Sequence, residues 1–256
     1  VGIGVTPWVS TLPNTIIDIN PVASIWGYAN SVYLNSNAYY NSGWLYKSTA
    51  AAGVLQVDGD ILRFRAAASG TADAGIAFDV PFIVDSGGNV GIGTTTPQKK
   101  VHIEGTGGAS EMQILVSSAS DTVGHTAGIG LRGEGGEADG DLRIKGGIFF
   151  ERIAGSFGNG KMILAVNSSV SNTSVTVADH ALTIDTNKNV GIGITGPQSK
   201  LQVAGGIQMA DDTDTAVVGK VGTLRYRTSG NNSYVDMCMQ TAASTYAWIN
   251  IVQNNW

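Results

Sequence analysis

Aliphatic residues alternate with glycine or polar residues along this chain in short, period-two bursts. Val90-Gly91-Ile92-Gly93 and Val190-Gly191-Ile192-Gly193 each put two aliphatic side chains on one strand face and bare backbone on the other. Lys100-Val-His-Ile-Glu104 and Lys200-Leu-Gln-Val-Ala204 keep the period, so Val101 and Ile103 share a face, as do Leu201 and Val203. Further strands are predicted at 61–65 and 76–78, with 68–73 as their connection, and at 112–116, 142–144, 162–166 and 174–177. Near the end, 222–227 and 234–239 read as a hairpin turning at Ser229-Gly-Asn-Asn232, and 246–252 as a third strand. No capped helix of 10 or more residues is legible, although Asp18 to Tyr33 has room for one helical turn. The pattern predicts an all-β chain of small β-sandwich-like modules.

The glycine-spaced segments belong to a repeat. Residues 84–105 and 184–205 align without gaps at an offset of 100, with 11 of 22 positions identical. A third, shortened copy opens the chain as Val1-Gly-Ile-Gly-Val-Thr-Pro7. In each full copy, Asp85 to Asn89 or Asp185 to Asn189 reads as a turn, since Asp, Asn and Gly tolerate left-handed backbone. Glycine inside a strand normally costs stability, so its use here predicts that another backbone approaches closely. Pro97 and Pro197 then end the strand. One copy is too short to bury its own aliphatic stripe. The repeat therefore reads as a collar whose core residues, Val90, Ile92, Val101, Ile103, Val190, Ile192, Leu201 and Val203, face the same stripe on neighbouring copies around a symmetry axis. The chain divides into a truncated collar (1–7), a β-module (8–83), a collar (84–105), a second β-module (106–183), a collar (184–205) and a C-terminal tip module (206–256). Both modules are expected to close on the same hairpin, because strands start at Gly59 and Gly160, 31 and 30 residues before Val90 and Val190.

Composition narrows the functions. Glycine makes up 35 of 256 residues and the net charge is −5, which argues against a nucleic-acid backbone as partner. A single cysteine, Cys238, excludes an intrachain disulfide framework and a multi-cysteine zinc site. No apolar run is long enough for a membrane-spanning helix. The opening Val1, without an initiator Met or a leader, suggests a fragment or processed piece.

Chemical motifs yield to plainer readings. Gly128-Ile-Gly-Leu-Arg-Gly133 fits the dinucleotide glycine pattern but runs into Glu134-Gly-Gly-Glu-Ala-Asp139, so it reads as a loop. Gly155 to Met162 resembles a phosphate loop but lacks its hydroxyl, and reads as a hairpin turn. Two acidic clusters, Glu134/Glu137/Asp139/Asp141 and Asp211/Asp212/Asp214, match no calcium loop and read as solvated turns. His102, His125 and His180 are scattered, and Cys238 reads as a small buried hydrophobe. No catalytic, metal or cofactor residue is assigned. Aromatics concentrate instead: seven of 19 lie between Trp26 and Tyr46, and the tip carries Tyr226, Tyr234, Tyr246 and Trp248. Such rings pack cores and interfaces, but also stack on sugars, and the four tip residues are the candidate ligand contacts.

The segment Asn-Val-Gly-Ile-Gly-Thr-Thr-Thr-Pro with the following Lys-Val-x-Ile-x-Gly resembles the repeated shaft motif of bacteriophage tail fibres and related virion fibres. Residues 35–47 look like the opening of the β-module such fibres carry between collars, and 222–249 like a fibre tip. The resemblance implies an elongated, β-rich homotrimer projecting from a virion to meet a host surface; with no catalytic constellation legible, the leading expectation is a non-enzymatic fibre. Its partners would be other tail or capsid proteins and a host surface polysaccharide or receptor. Two departures stand out. No self-cleaving chaperone segment is legible, and the 184–205 copy carries Ile194 and Gly196 for Thr94 and Thr96, which predicts a different turn there. Two other classes remain open: a polysaccharide-degrading tailspike, which would need carboxylates gathered in a groove, and a bacterial surface adhesin.

Overall fold

β-Branched and aromatic residues at every second position, with Gly, Asn and Asp at the reversals, favour strands over helices, and the chain is all-β. The computed structural model describes residues 16–20, 22–108, 112–133, 143–154 and 158–254. The truncated collar at 1–7 and the acidic cluster at 134–141 lie outside them. Among the described residues the only helical pieces are two 3₁₀ turns, Val177–Asp179 and Val218–Lys220. The chain forms two compact units, 1–115 and 116–256.

The first unit holds β1 (Ile16–Asn20), β2 (Ala23–Tyr28), β3 (Ser31–Ser36), β4 (Ala38–Tyr40), β5 (Trp44–Tyr46), β6 (Ala50–Asp58), β7 (Ile61–Gly70), β8 (Asp79–Val84), β9 (Val90–Ile92) and β10 (Val101–Ile103). Eight of these make one sheet in the order β1-β2-β3-β6-β7-β8-β9-β10, while β4 and β5 pair as a separate hairpin. That hairpin covers one face of the sheet. Ala38 and Tyr46 pack on Ala52, Val54 and Ala67, and the Tyr46 hydroxyl donates to the Ala68 carbonyl. Next to it, Lys47 reaches across to Asp18 at 3.1 Å, with both side chains 1% exposed. Asn37 ties the segment down by donating to the carbonyls of Ser48, Ala50 and Ala51. Of a sandwich, the single chain therefore builds one broad layer and a two-stranded flap.

The second unit holds β11 (Thr126–Leu131), β12 (Gly146–Arg152), β13 (Gly160–Val166), β14 (His180–Ile184), β15 (Val190–Ile192) and β16 (Leu201–Val203), a six-stranded sheet in sequence order. β17 (Leu224–Ser229), β18 (Asn232–Ala242) and β19 (Thr245–Asn254) form a three-stranded meander. The run β12 to β16 repeats the neighbour order of β6 to β10, as the shared closing hairpin predicts. In both units the collar is no separate body: its strands continue the module's sheet.

Several expectations are corrected. Among the described residues, the stretch from Asp18 to Tyr33 has no helical turn; it forms β1, β2 and the start of β3 with turns between them. The connection at 68–73 is partly strand, since β7 runs to Gly70. Ile76 and Phe78 lie against the aromatic core outside any strand, where the Ile76 N–H donates to the Trp44 carbonyl. Residues 112–116 join no ladder among the described residues, so apolar character there does not become a strand. Ile144 and Val175 are bonded to one another outside the sheet. The glycine-rich 128–133 segment is largely strand β11, not a loop. Its bare Gly128 and Gly130 lie under Phe149 and Ile144, where a Cβ would come within 2.8 Å of either side chain.

Candidate self-association surface and aromatic sites

Each collar is a turn, a strand, a tight loop and a second strand laid parallel to the first. The Asp85 carboxylate accepts from the N–H groups of Gly87 and Asn89 and from the Asn89 side chain, and Asp185 makes the matching bonds. The Asn89 backbone N–H, more than any other neighbour, holds the Asp85 carboxyl below its ordinary value. Lys100 and Lys200 reach back 13 residues to donate to the carbonyls of Gly87 and Asn187, each at 2.8 Å. The strands then pair in register, Val90 opposite Val101 and Ile92 opposite Ile103, and likewise Val190 with Leu201 and Ile192 with Val203.

The glycines answer to a close backbone, as expected, but the backbone is the chain's own. A Cβ on Gly91 would sit 2.5 Å from the Thr94 carbonyl oxygen, and one on Gly191 would collide with that of Ile194. Gly93 and Gly193 have φ of +74° and +69°, which turn the chain into that loop. Since a main-chain carbonyl does the covering, exchanging Thr94 for Ile194 preserves the loop. The different turn expected there is not found.

The eight collar-core residues come together on one face within each copy; Ile92, Val101, Ile192 and Leu201 are exposed and the other four half-buried. Val101 is 60% exposed and Leu201 is 58% exposed. Their stripe continues across the module. In the first sheet, cross-strand pairs carry one aliphatic face from Ile17 through Ile25, Leu34, Leu55, Phe64 and Phe82 to Ile92. In the second it runs through Ile129, Ile148, Leu164, Leu182 and Ile192 to Val203. Most of these side chains are exposed, while the opposite face of the first sheet buries Asp18, Ser24, Asn35 and Gln56. That face also buries Ala52, Val54 and Ala67, so it is the aliphatic character of the uncovered face that departs from an ordinary water-soluble sheet.

The four tip candidates do not converge. Tyr226 lies on the apolar face opposite Val235, with its hydroxyl 2.8 Å from that of Ser233. Tyr234, Tyr246 and Trp248 lie on the other face. There Arg225 covers the Trp248 ring at 4.2 Å and Arg227 the Tyr234 ring at 3.9 Å. Both guanidiniums donate to Asp236, which is 1% exposed. Burial alone would raise the Asp236 carboxyl, but hydrogen bonds from Arg227, Arg225 and Asn250 outweigh it and hold the group below its ordinary value. Two of the three rings on this face are thus plates for an internal ion cluster. Cys238 beside them is fully buried.

Lys220 answers the second acidic cluster, bridging Asp212 at 2.6 Å and Asp214 at 3.0 Å. Among the described residues no three His, Cys, Asp or Glu side chains gather as metal ligands. The aromatics of the first module do gather. Trp26 stacks on Tyr33 at 4.4 Å, and Trp44 lies 5.6 Å from each of them and 5.7 Å from Tyr40. The sequence showed their density but not their convergence, which needs the flap hairpin to fold back over β2 and β3. Comparison with protein-family models and with curated protein sequences gives no match.

Proposed function

We propose that the chain is a structural, host-recognition segment of a virion fibre, closing through its aliphatic sheet faces into a homotrimer. The observation that carries this reading is the uncovered aliphatic face: large aliphatic side chains are exposed from β1 to β10 and again from β11 to β16, on the side away from each sheet's buried core. Contiguous apolar surface on this scale marks an interface, and it recurs at the same register in two modules. A surface that repeats along one chain is matched most simply by copies of that chain. The collar motif's resemblance to tail-fibre shafts sets the number of copies at three and the setting at a phage tail or capsid fibre. Other virion proteins and a host surface polysaccharide or receptor are its partners. Weak contacts on three chains add through effective concentration, so no single site need bind tightly. Solution mass tests the assembly, and retention of the assembled protein on intact host cells tests the recognition. A single subunit refutes the first, and no retention on cells the second.

A further inference from the structure

The aromatic cluster of the first module is built as a receptacle rather than as a sealed core. Trp26, Tyr28, Tyr33, Tyr40 and Trp44 line a recess of about 190 Å³, roomy enough for one pyranose ring. Three features favour a neutral sugar. Every lining group is aromatic and uncharged, which suits the apolar C–H face of a pyranose. Polar tips stand ready at the rim: among the described residues no hydrogen bond engages the Tyr28 or Tyr40 hydroxyl or either indole N–H. The walls are also held from behind. Tyr33 accepts from Gln56 at 3.2 Å, and Phe78 meets Trp44 edge-on at 5.6 Å. The recess therefore exists before anything enters it.

Its position also fits. Trp26, Tyr28 and Tyr33 project from β2 and β3 on the face opposite Ile25, Val32 and Leu34. Closure of the aliphatic face leaves the recess outside. The tip rings Tyr234 and Trp248 lack this freedom, being stacked under arginines.

We propose that this recess binds the pyranose ring of an uncharged surface glycan by stacking, at millimolar affinity per chain. The purpose of the site rests on the host-recognition reading, but its geometry does not. The test titrates the full chain with methyl glycosides of glucose, galactose, mannose and N-acetylglucosamine, observed by ligand NMR. At least one sugar is expected to show saturation transfer from aromatic protons and upfield-shifted C–H signals. Trp44→Ala should weaken that binding roughly tenfold. Tyr28→Ala removes a half-exposed ring outside the stacked cluster, so the fold survives and binding still weakens. Trp248→Ala should leave it unchanged. Silence from all four sugars, undiminished binding by both recess variants, or loss with Trp248→Ala overturns the proposal. Solution mass on the same samples keeps the two readings apart. Sugar bound by a single subunit spares the recess and refutes the fibre, while an assembled protein without sugar binding does the converse.

Discussion

Ile83 and Thr183 each stand one residue before a full copy of the repeat, at equivalent places in β8 and β14 on the covered side of the strand. Ile83 is 3% exposed, whereas Thr183 is fully buried with a hydroxyl that has no partner. A buried hydroxyl without a hydrogen bond costs about 1–3 kcal/mol. Thr183→Val keeps the shape and removes the cost, so it should raise the melting temperature by several degrees in calorimetry. Gly91→Ala should do the opposite, since its Cβ meets the Thr94 carbonyl, and we expect a loss of about 1–3 kcal/mol in denaturant unfolding. The turn carboxylates set the acid limit. Asp85, held low by the Asn89 N–H, and Asp58, held low by Ser31 and then Arg63, stabilise the fold while ionised. With folded values below the ordinary 3.8, that contribution is complete above 3.8 and disappears as pH falls through the lower folded values. Thermal stability should stay level between about pH 5 and pH 7 and fall steeply below about pH 4. Sequence spacing exposed the Asp-x-x-x-Asn turn, because its bonds span four residues. The Lys100-to-Gly87 bond was not legible, although its signal was present: the lysine recurs at position 200.

At the level of strands, period-two alternation identified β9, β10, β13 and the tip meander, where side-chain pattern and ladder agree. It failed at 112–116, which has the apolar content of a strand but pairs with none of the described residues, because a ladder is a tertiary fact. It failed also at β11, whose glycines look like a loop until Phe149 and Ile144 are seen lying over them. The parallel pairing of β9 with β10 was not legible either. An eight-residue link is shorter than the usual parallel crossover. Alternation marks two faces without saying which is covered, so the burial of Asn35 and Gln56 beneath exposed Leu34 and Leu55 had to come from the flap. That assignment predicts the outcome of charge insertion. Leu55 is 41% exposed and Leu164 45% exposed. In an isolated subunit, Leu55→Asp or Leu164→Asp would change stability by no more than about 0.5 kcal/mol. In an assembly closed on this face, either variant should lower the solution mass or abolish soluble protein, as sedimentation will show.

For the whole molecule, the first module, the second module and the tip express one arrangement three times: a sheet with an aliphatic face that its own chain leaves uncovered and an opposite face that carries the buried residues. Leu224, Met239, Ile249 and Val252 extend it into the tip meander. Three such faces on a chain of net charge −5 would aggregate indiscriminately unless geometry directs them to one another. Registered repeats supply that geometry. The most direct measurement is the molar mass of the purified chain by light scattering across a dilution series. The account predicts a species of three times 26.5 kDa that persists on dilution. A stable, soluble 26.5 kDa subunit at every concentration would contradict it.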